Sequence, residues 1–252
     1  MQVKIDYLGH STVIIELNGT RVITDPVFRR RIFHLTRTVP LPEAVIYQDI
    51  DIALISHLHY DHLDIQSLRS LGEKTLVCVP RGAGNLLRKN GISNFRELAI
   101  GEEFSLGTLP VRTTYARHRN SRHPLGMQAH CLGYLIGDEI IVYYPGDTQL
   151  FPEMASLCDR IDVALMPVWG WGPHLGRMHM SPEQAAQALA YLKPKLAIPI
   201  HWGTYLPIGL GWLNPAFHSS PPLVFAGSAE NYHPQVEVRI LKPSESTIYF
   251  PS

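Results

Sequence analysis

The sequence predicts an α/β fold in which β-sheets carry helices packed on their outer sides. Short β-branched apolar runs recur along the chain, and several open directly into a loop bearing histidine or aspartate. The later runs alternate with helical stretches. With 252 residues, 45% of them hydrophobic and 17% charged, the chain can bury a substantial core and is too apolar for disorder. It reads as a single domain over residues 1–252.

The elements follow in order. Val13 to Leu17 and Arg21 to Thr24 form a hairpin around Asn18-Gly19, and the second run leads to Asp25. Ile50 to Ser56 leads to His57. Leu63 to Leu71 reads as a helix, and Gly82 to Asn90 as another, stopped by Gly91. Val111 to Ala116 leads to Arg117 and His118, Ile140 to Tyr144 to Asp147, and Leu196 to Ile200 to His201. The clearest helix is Ser181 to Leu192. Ser181 is its N-cap, Pro182 suits the first position, Gln184 completes a capping box and Pro194 ends it. Ligand-type residues at several strand exits can converge on one cleft.

Composition narrows the function. Lysine and arginine together equal aspartate and glutamate, so broad nucleic-acid binding, which needs a basic excess, is not expected. Cys78, Cys131 and Cys158 are scattered and form no CxxC pair, which points away from disulfides and thiolate zinc. The first residues lack a signal-peptide apolar region, and no run is long enough to span a bilayer. A cytoplasmic setting is the expectation.

The run His57-Leu58-His59-Tyr60-Asp61-His62 carries the chemistry. Two histidines at i and i+2 on a strand exit can point to one side. As the chain turns into the next helix, Asp61 and His62 can face a neighbouring point. One short segment can thus serve two adjacent metals.

His-x-His-x-Asp-His after a strand resembles the signature of the metallo-β-lactamase fold. That resemblance implies a four-layer αββα sandwich, two mixed β-sheets with helices on the outer faces. It implies that His57, His59 and His118 hold one metal, that Asp61, His62 and His201 hold a second, and that Asp147 bridges them. Further segments are similar to the branch containing N-acylphosphatidylethanolamine-hydrolysing phospholipase D and the ascorbate-phosphate lactonases: Tyr7 to Thr12, Thr24 to Phe28, Ser56 to Asp64, Gly146 to Thr148, His179 to Glu183 and His201 to Thr204. The implied activity is hydrolysis with two divalent metal ions, Zn2+ first, with Mn2+ or Fe2+ also suited to imidazole and carboxylate. Such metals supply hydroxide at neutral pH. A phosphodiesterase acting on an anionic or lipid-like substrate is the first reading, a lactonase or other cyclic ester or amide hydrolase the alternative, and a nuclease a further one.

Asp61, Asp147 and His179 are the candidate catalytic residues, His179 as proton donor to the leaving group or, more plainly, as a packed or capping histidine. Asp25 is placed beside the metals, accepting from a ligand histidine N–H, against the simpler reading of a turn before Pro26. His10 reads as a loop histidine bonded to backbone. Arg117, Arg119, Trp171 and Tyr205 are candidate substrate contacts; the arginines, with Arg29 to Arg31, suit an anionic group or form a solvated face. The apolar segment from Tyr205 to Phe225 is open between a substrate wall, a peripheral membrane lip, a homo-oligomer contact and irregular core.

Overall fold

Strict alternation along the strands sorts the side chains into two cores. In β2 (Thr12–Leu17), Val13, Ile15 and Leu17 face one core and Ile14 the other; in β6 (Ile52–Leu54), Ile52 and Leu54 face the first and Ala53 the second. The computed structural model describes residues 1–119, 121–122, 126–170, 178–209 and 216–251, residues 216–218 by backbone alone.

Two seven-stranded mixed sheets meet across the larger core. The first runs in the order β17 (Glu245–Tyr249), β1 (Val3–Gly9), β2, β3 (Thr20–Thr24), β6, β7 (Leu76–Pro80), β8 (Phe95–Leu98). The second runs β16 (Glu237–Val238), β14 (Leu196–Ile200), β13 (Val163–Pro167), β12 (Val142–Tyr144), β11 (Leu132–Ile136), β10 (Leu109–Tyr115), β9 (Glu103–Leu106). Each sheet is antiparallel on one side and parallel on the other, changing at β3 in the first and at β12 in the second. A small third sheet joins β4 (Arg31–Ile32), β5 (Leu35–Arg37) and β15 (Tyr205–Pro207).

Helices α1 (Ile65–Ser70) and α2 (Gly84–Lys89) cover the outer face of the first sheet, burying Leu68 and Leu87 against Ile23, Val77 and Val79. Helix α3 (Pro182–Leu192) buries Ala185, Ala186, Leu189 and Leu192 with the second sheet. Both halves of the Ser181/Gln184 capping box are made. The expected layers and most expected elements are therefore present, including the hairpin around Asn18-Gly19.

Of the four readings open for the segment after β15, substrate wall, membrane lip, homo-oligomer contact and irregular core, the last does not hold for its later part. Residues 210–215 lie outside the described residues, but Ala216–Tyr232 is a helix, α4, with Pro221 and Pro222 inside it. A proline pair argues against helix locally. Here the i, i+4 spacing of Pro221, Phe225 and Ala229 places all three in the buried seam, and that packing outweighs the broken hydrogen bonds. Phe225→Ala is expected to lower the unfolding free energy by about 3–5 kcal/mol in urea denaturation; a loss below about 1 kcal/mol would mean that α4 does not dock as described.

Candidate metal centre

Five strand exits and one hairpin turn bring the ligand-type residues together. Asp25 follows β3, His57 to His62 follow β6, His118 follows β10, Asp147 follows β12 and His201 follows β14; His10 lies in the β1–β2 turn. The loop from His57 to His62 is clamped at both ends. His62 and Leu63 amides donate to the His59 carbonyl at 3.1 and 2.8 Å. Asp64 caps α1 by accepting from the Ser67 amide at 2.9 Å. Arg122 donates to the carbonyls of Leu58 at 2.6 Å and Leu63 at 3.2 Å.

Three imidazoles form one cluster. His57 Nε2 lies 2.9 Å from His59 Nδ1, and His118 Nε2 lies 3.2 Å from the same atom. The far nitrogen of His118 donates to the Met178 carbonyl at 2.7 Å, which leaves the near one with a lone pair for a metal. Burial holds His57 well below the ordinary imidazole range, lowers His59, and pushes His118 down to about 4. All three are thus held neutral, the form that binds metals.

A second cluster comprises His10, Asp61, His62 and His201. His62 Nε2 is 3.3 Å from His201 Nε2 and 3.8 Å from Asp61 Oδ2. Asp147 lies between the clusters and is 2% exposed. Its Oδ2 is 3.1 Å from His62, 3.2 Å from His179 and 4.0 Å from His118, and its Oδ1 is 3.1 Å from His201. Asp147 Oδ1 and His201 Nδ1 are nonetheless buried without a hydrogen bond. Such orphaned acceptors and facing lone pairs suit divalent cations, so the donor set fits metal. Burial disfavours charge here, yet the facing histidines hold the Asp147 and Asp61 carboxyls well below the usual range, and Asp147, Asp61 and Asp25 raise His62 despite its burial.

Asp25 is fully buried at a left-handed φ of 34°. It accepts from His62 Nδ1 at 2.6 Å, from the Ser56 amide at 2.7 Å, and from the hydroxyls of Ser56 and Tyr144 at 2.5 Å. That directs His62 Nε2 at Asp147. Gly146, at φ 63°, lets the turn before Asp147 approach Ser56; a Cβ there would come within 2.4 Å of Ser56 Cβ.

His10 is the residue that sequence reasoning undervalued. Its backbone is bonded, to Thr204 Oγ1 at 2.7 Å and to the His201 amide at 2.7 Å. Its ring also reaches the centre, with Nε2 3.1 Å from Asp61 Oδ2 and the ring centroid 3.9 Å from that of His201. Its backbone takes a left-handed φ of 56° in the Gly9-His10-Ser11 turn. Tyr205, a candidate substrate contact, is 2% exposed, donates to the Arg29 carbonyl at 2.7 Å, stands edge-on to His10 and is not among the described lining of the recess beside the centre. Arg117 and Arg119 are exposed and are not among the described lining residues of that recess. Arg29 pairs with Asp64 and Gln66, and Arg31 with the Phe33 carbonyl. Trp171 lies outside the described residues.

A recess of about 220 Å³ opens onto the centre, floored by His59, Asp61, Asp147 and His179 and walled by the β4–β5 hairpin and Tyr60. No helix among the described residues is long and apolar enough to cross a membrane.

A family model described as a beta-lactamase superfamily domain matches residues 20–202. A UPF0173 metal-dependent hydrolase of Lysinibacillus sphaericus is 30% identical over 98% of this chain and 100% of its own length. N-acyl-phosphatidylethanolamine-hydrolyzing phospholipase D 1 of Caenorhabditis elegans is 30% identical over 81% of this chain and 64% of its own. The structure of Igni18, a metallo hydrolase of Ignicoccus hospitalis, superposes over 100% of both chains with a TM-score of 0.73 at 23% identity, a likeness of fold. The chain belongs to the beta-lactamase superfamily. Within it, it is a metal-dependent hydrolase.

Two outcomes follow from this geometry. Asp25→Asn is expected to weaken metal binding about 10–100-fold in chelator competition, whereas unchanged affinity would deny Asp25 its orienting role. In metal-free protein, His118 and His10, lowered from 6.5 to about 4 and about 3, take protons only in the unfolded chain as pH falls below 6.5. The unfolded state then binds more protons, so stability drops on acidification. His62, raised above 6.5, keeps a proton that the unfolded chain has lost, so stability also declines above that pH. Urea midpoints of chelated protein should peak near pH 6.5, and a flat profile from about pH 4 to about pH 8 would contradict the assignment.

Proposed function

We propose that this protein is a dinuclear hydrolase of ester-type bonds, with phosphodiesters as the first substrate class. The observation that carries the reading is the position of Asp147, which lies 3.1 Å from His62 and His201 in one cluster and 4.0 Å from His118 in the other. His57, His59 and His118 would hold one metal. Asp61, His62 and His201 would hold the other, and Asp147 would bridge them. Zn2+ is the first choice for such a set, with Mn2+ or Fe2+ also compatible. Bound there, divalent metals lower the pKa of coordinated water to about 7 and so furnish the nucleophile at neutral pH.

The chain's own side chains do the rest. Asp147 and Asp61 supply the negative charge that keeps two cations in proximity. Asp25 and the Met178 carbonyl fix the tautomers of His62 and His118. His179 lines the floor of the recess, partly exposed and 3.2 Å from Asp147 Oδ2, where a proton can pass to a leaving-group oxygen. Similarity to the nematode phospholipase supports the phosphodiester reading. A lactone or other neutral ester is the second reading, favoured by the recess: its described lining residues include no lysine or arginine.

The test is turnover by metal-loaded protein of bis(p-nitrophenyl) phosphate and of a lactone panel, before and after chelation. Chelator-sensitive phosphodiester hydrolysis is expected. Asp147→Ala should lower kcat/KM by more than the roughly 100-fold that loss of an outer partner costs. Lactone turnover alone moves the assignment to the second reading, and full activity of Asp147→Ala with both metals retained would overturn the bridge.

A further inference from the structure

The β4–β5 hairpin closes with a two-residue turn, Phe33-His34, between the paired Ile32 and Leu35. Phe33 has a φ of 49°. Tight hairpin turns place glycine at such a position because a side chain there is strained. This chain places a phenylalanine there and leaves 64% of it exposed. The strain opposes folding, and the exposed ring returns little for it because it adds nothing to the core. Its described aromatic contact is with Tyr60, edge-on at 4.6 Å between centroids, within the favourable range for aromatic pairs. Tyr60 is itself held under the Arg122 guanidinium, 4.1 Å from the ring centroid, in the loop that carries His59 and Asp61.

The hairpin base is firmly seated. Ile32 and Leu35 pack on Val27 and Tyr205, β5 pairs with β15, and Arg37 donates to the carbonyls of Leu8 at 2.6 Å and Pro40 at 3.2 Å. The wall therefore has a fixed position above the floor of Asp61 and Asp147. The 220 Å³ of the recess is below the ~300–1,000 Å³ of sites for drug-sized ligands, yet above the ~150 Å³ that accepts benzene.

We propose that Phe33 and Tyr60, backed by Ile32 and Leu35, form a specificity wall that seats one compact apolar substituent, the size of an aromatic ring, beside the scissile bond. This rests on the reading of the Asp147 centre as hydrolytic. Substrates would then be esters, phosphodiesters or lactones carrying such a group next to the reacting atom, with the remainder of a larger substrate outside the recess.

The test uses matched pairs on the metal-loaded full chain: phenyl against methyl p-nitrophenyl phosphate, and γ-phenyl-γ-butyrolactone against γ-valerolactone. Taking the phenyl-to-methyl ratio of kcat/KM in wild type relative to Phe33→Gly cancels intrinsic reactivity. Phe33→Gly should lower that ratio about tenfold or more, mainly through KM. Its melting temperature should hold or rise, because glycine relieves the turn, and its metal content should stay at the wild-type value. A role in folding alone would lower stability and leave the ratio unmoved. An unchanged ratio with metals retained overturns the inference and spares the hydrolase reading. Absence of chelator-sensitive turnover on both pairs overturns that reading and the inference with it.

Discussion

The buried carboxylate of Asp25 is the constraint on which the centre depends. A carboxylate removed from water is costly unless its oxygens are fully bonded. Asp25 meets that demand with donors from both sheets: Ser56 and His62 beyond β6 in the first, and Tyr144 at the end of β12 in the second. Further bonds cross the same boundary, from the Leu132 amide to the Ser56 carbonyl at 2.8 Å and from the Tyr134 hydroxyl to the Ile55 carbonyl at 2.7 Å. The sheets are therefore pinned together where the ligand loops emerge. The alternating cores set the layers, and these polar bonds set the register of one sheet's loops against the other's.

The strand exits also fix the backbone of the centre through their own bonds. His10, Asp25 and His201 adopt left-handed backbone conformations, which persist only when the surroundings over-determine them. The His201 amide bonds the His10 carbonyl, so the turn after β1 and the exit of β14 are held as one unit. Preorganisation of this kind lowers the cost of gathering cations into one small volume. It also leaves His57, His59 and His118 neutral through burial, while Asp61 and Asp147 retain charge through the histidines that face them.

Much of this was legible in the sequence, unevenly. The loop from His57 to His62 announces ligand chemistry because four suitable side chains follow a buried strand. Hairpin turns, the capping box at Ser181 and the period-2 runs are local signals, and they match the strands and helices formed. Residues far apart in the chain were reached through resemblance, since no local pattern says that the exits of β10, β12 and β14 face the same point. His10, beside glycine, looks like ordinary loop, and its backbone bonds agree; that its ring also meets Asp61 and His201 is a tertiary contact with no local signal. Helix α4 was hidden by Pro221-Pro222, whose local cost is outweighed by the seam they join. The arginines drew attention by charge, whereas the β4–β5 hairpin, short and without a chemical signature, walls the recess.

The central claim is that Asp147 stands between two metals. Anomalous diffraction from crystals of the zinc-loaded protein, recorded on both sides of the zinc absorption edge, tests it most directly. The account predicts two peaks flanking the Asp147 carboxylate, one among His57, His59 and His118 and the other among Asp61, His62 and His201. A single peak, or two peaks of which neither lies beside Asp147, would contradict it.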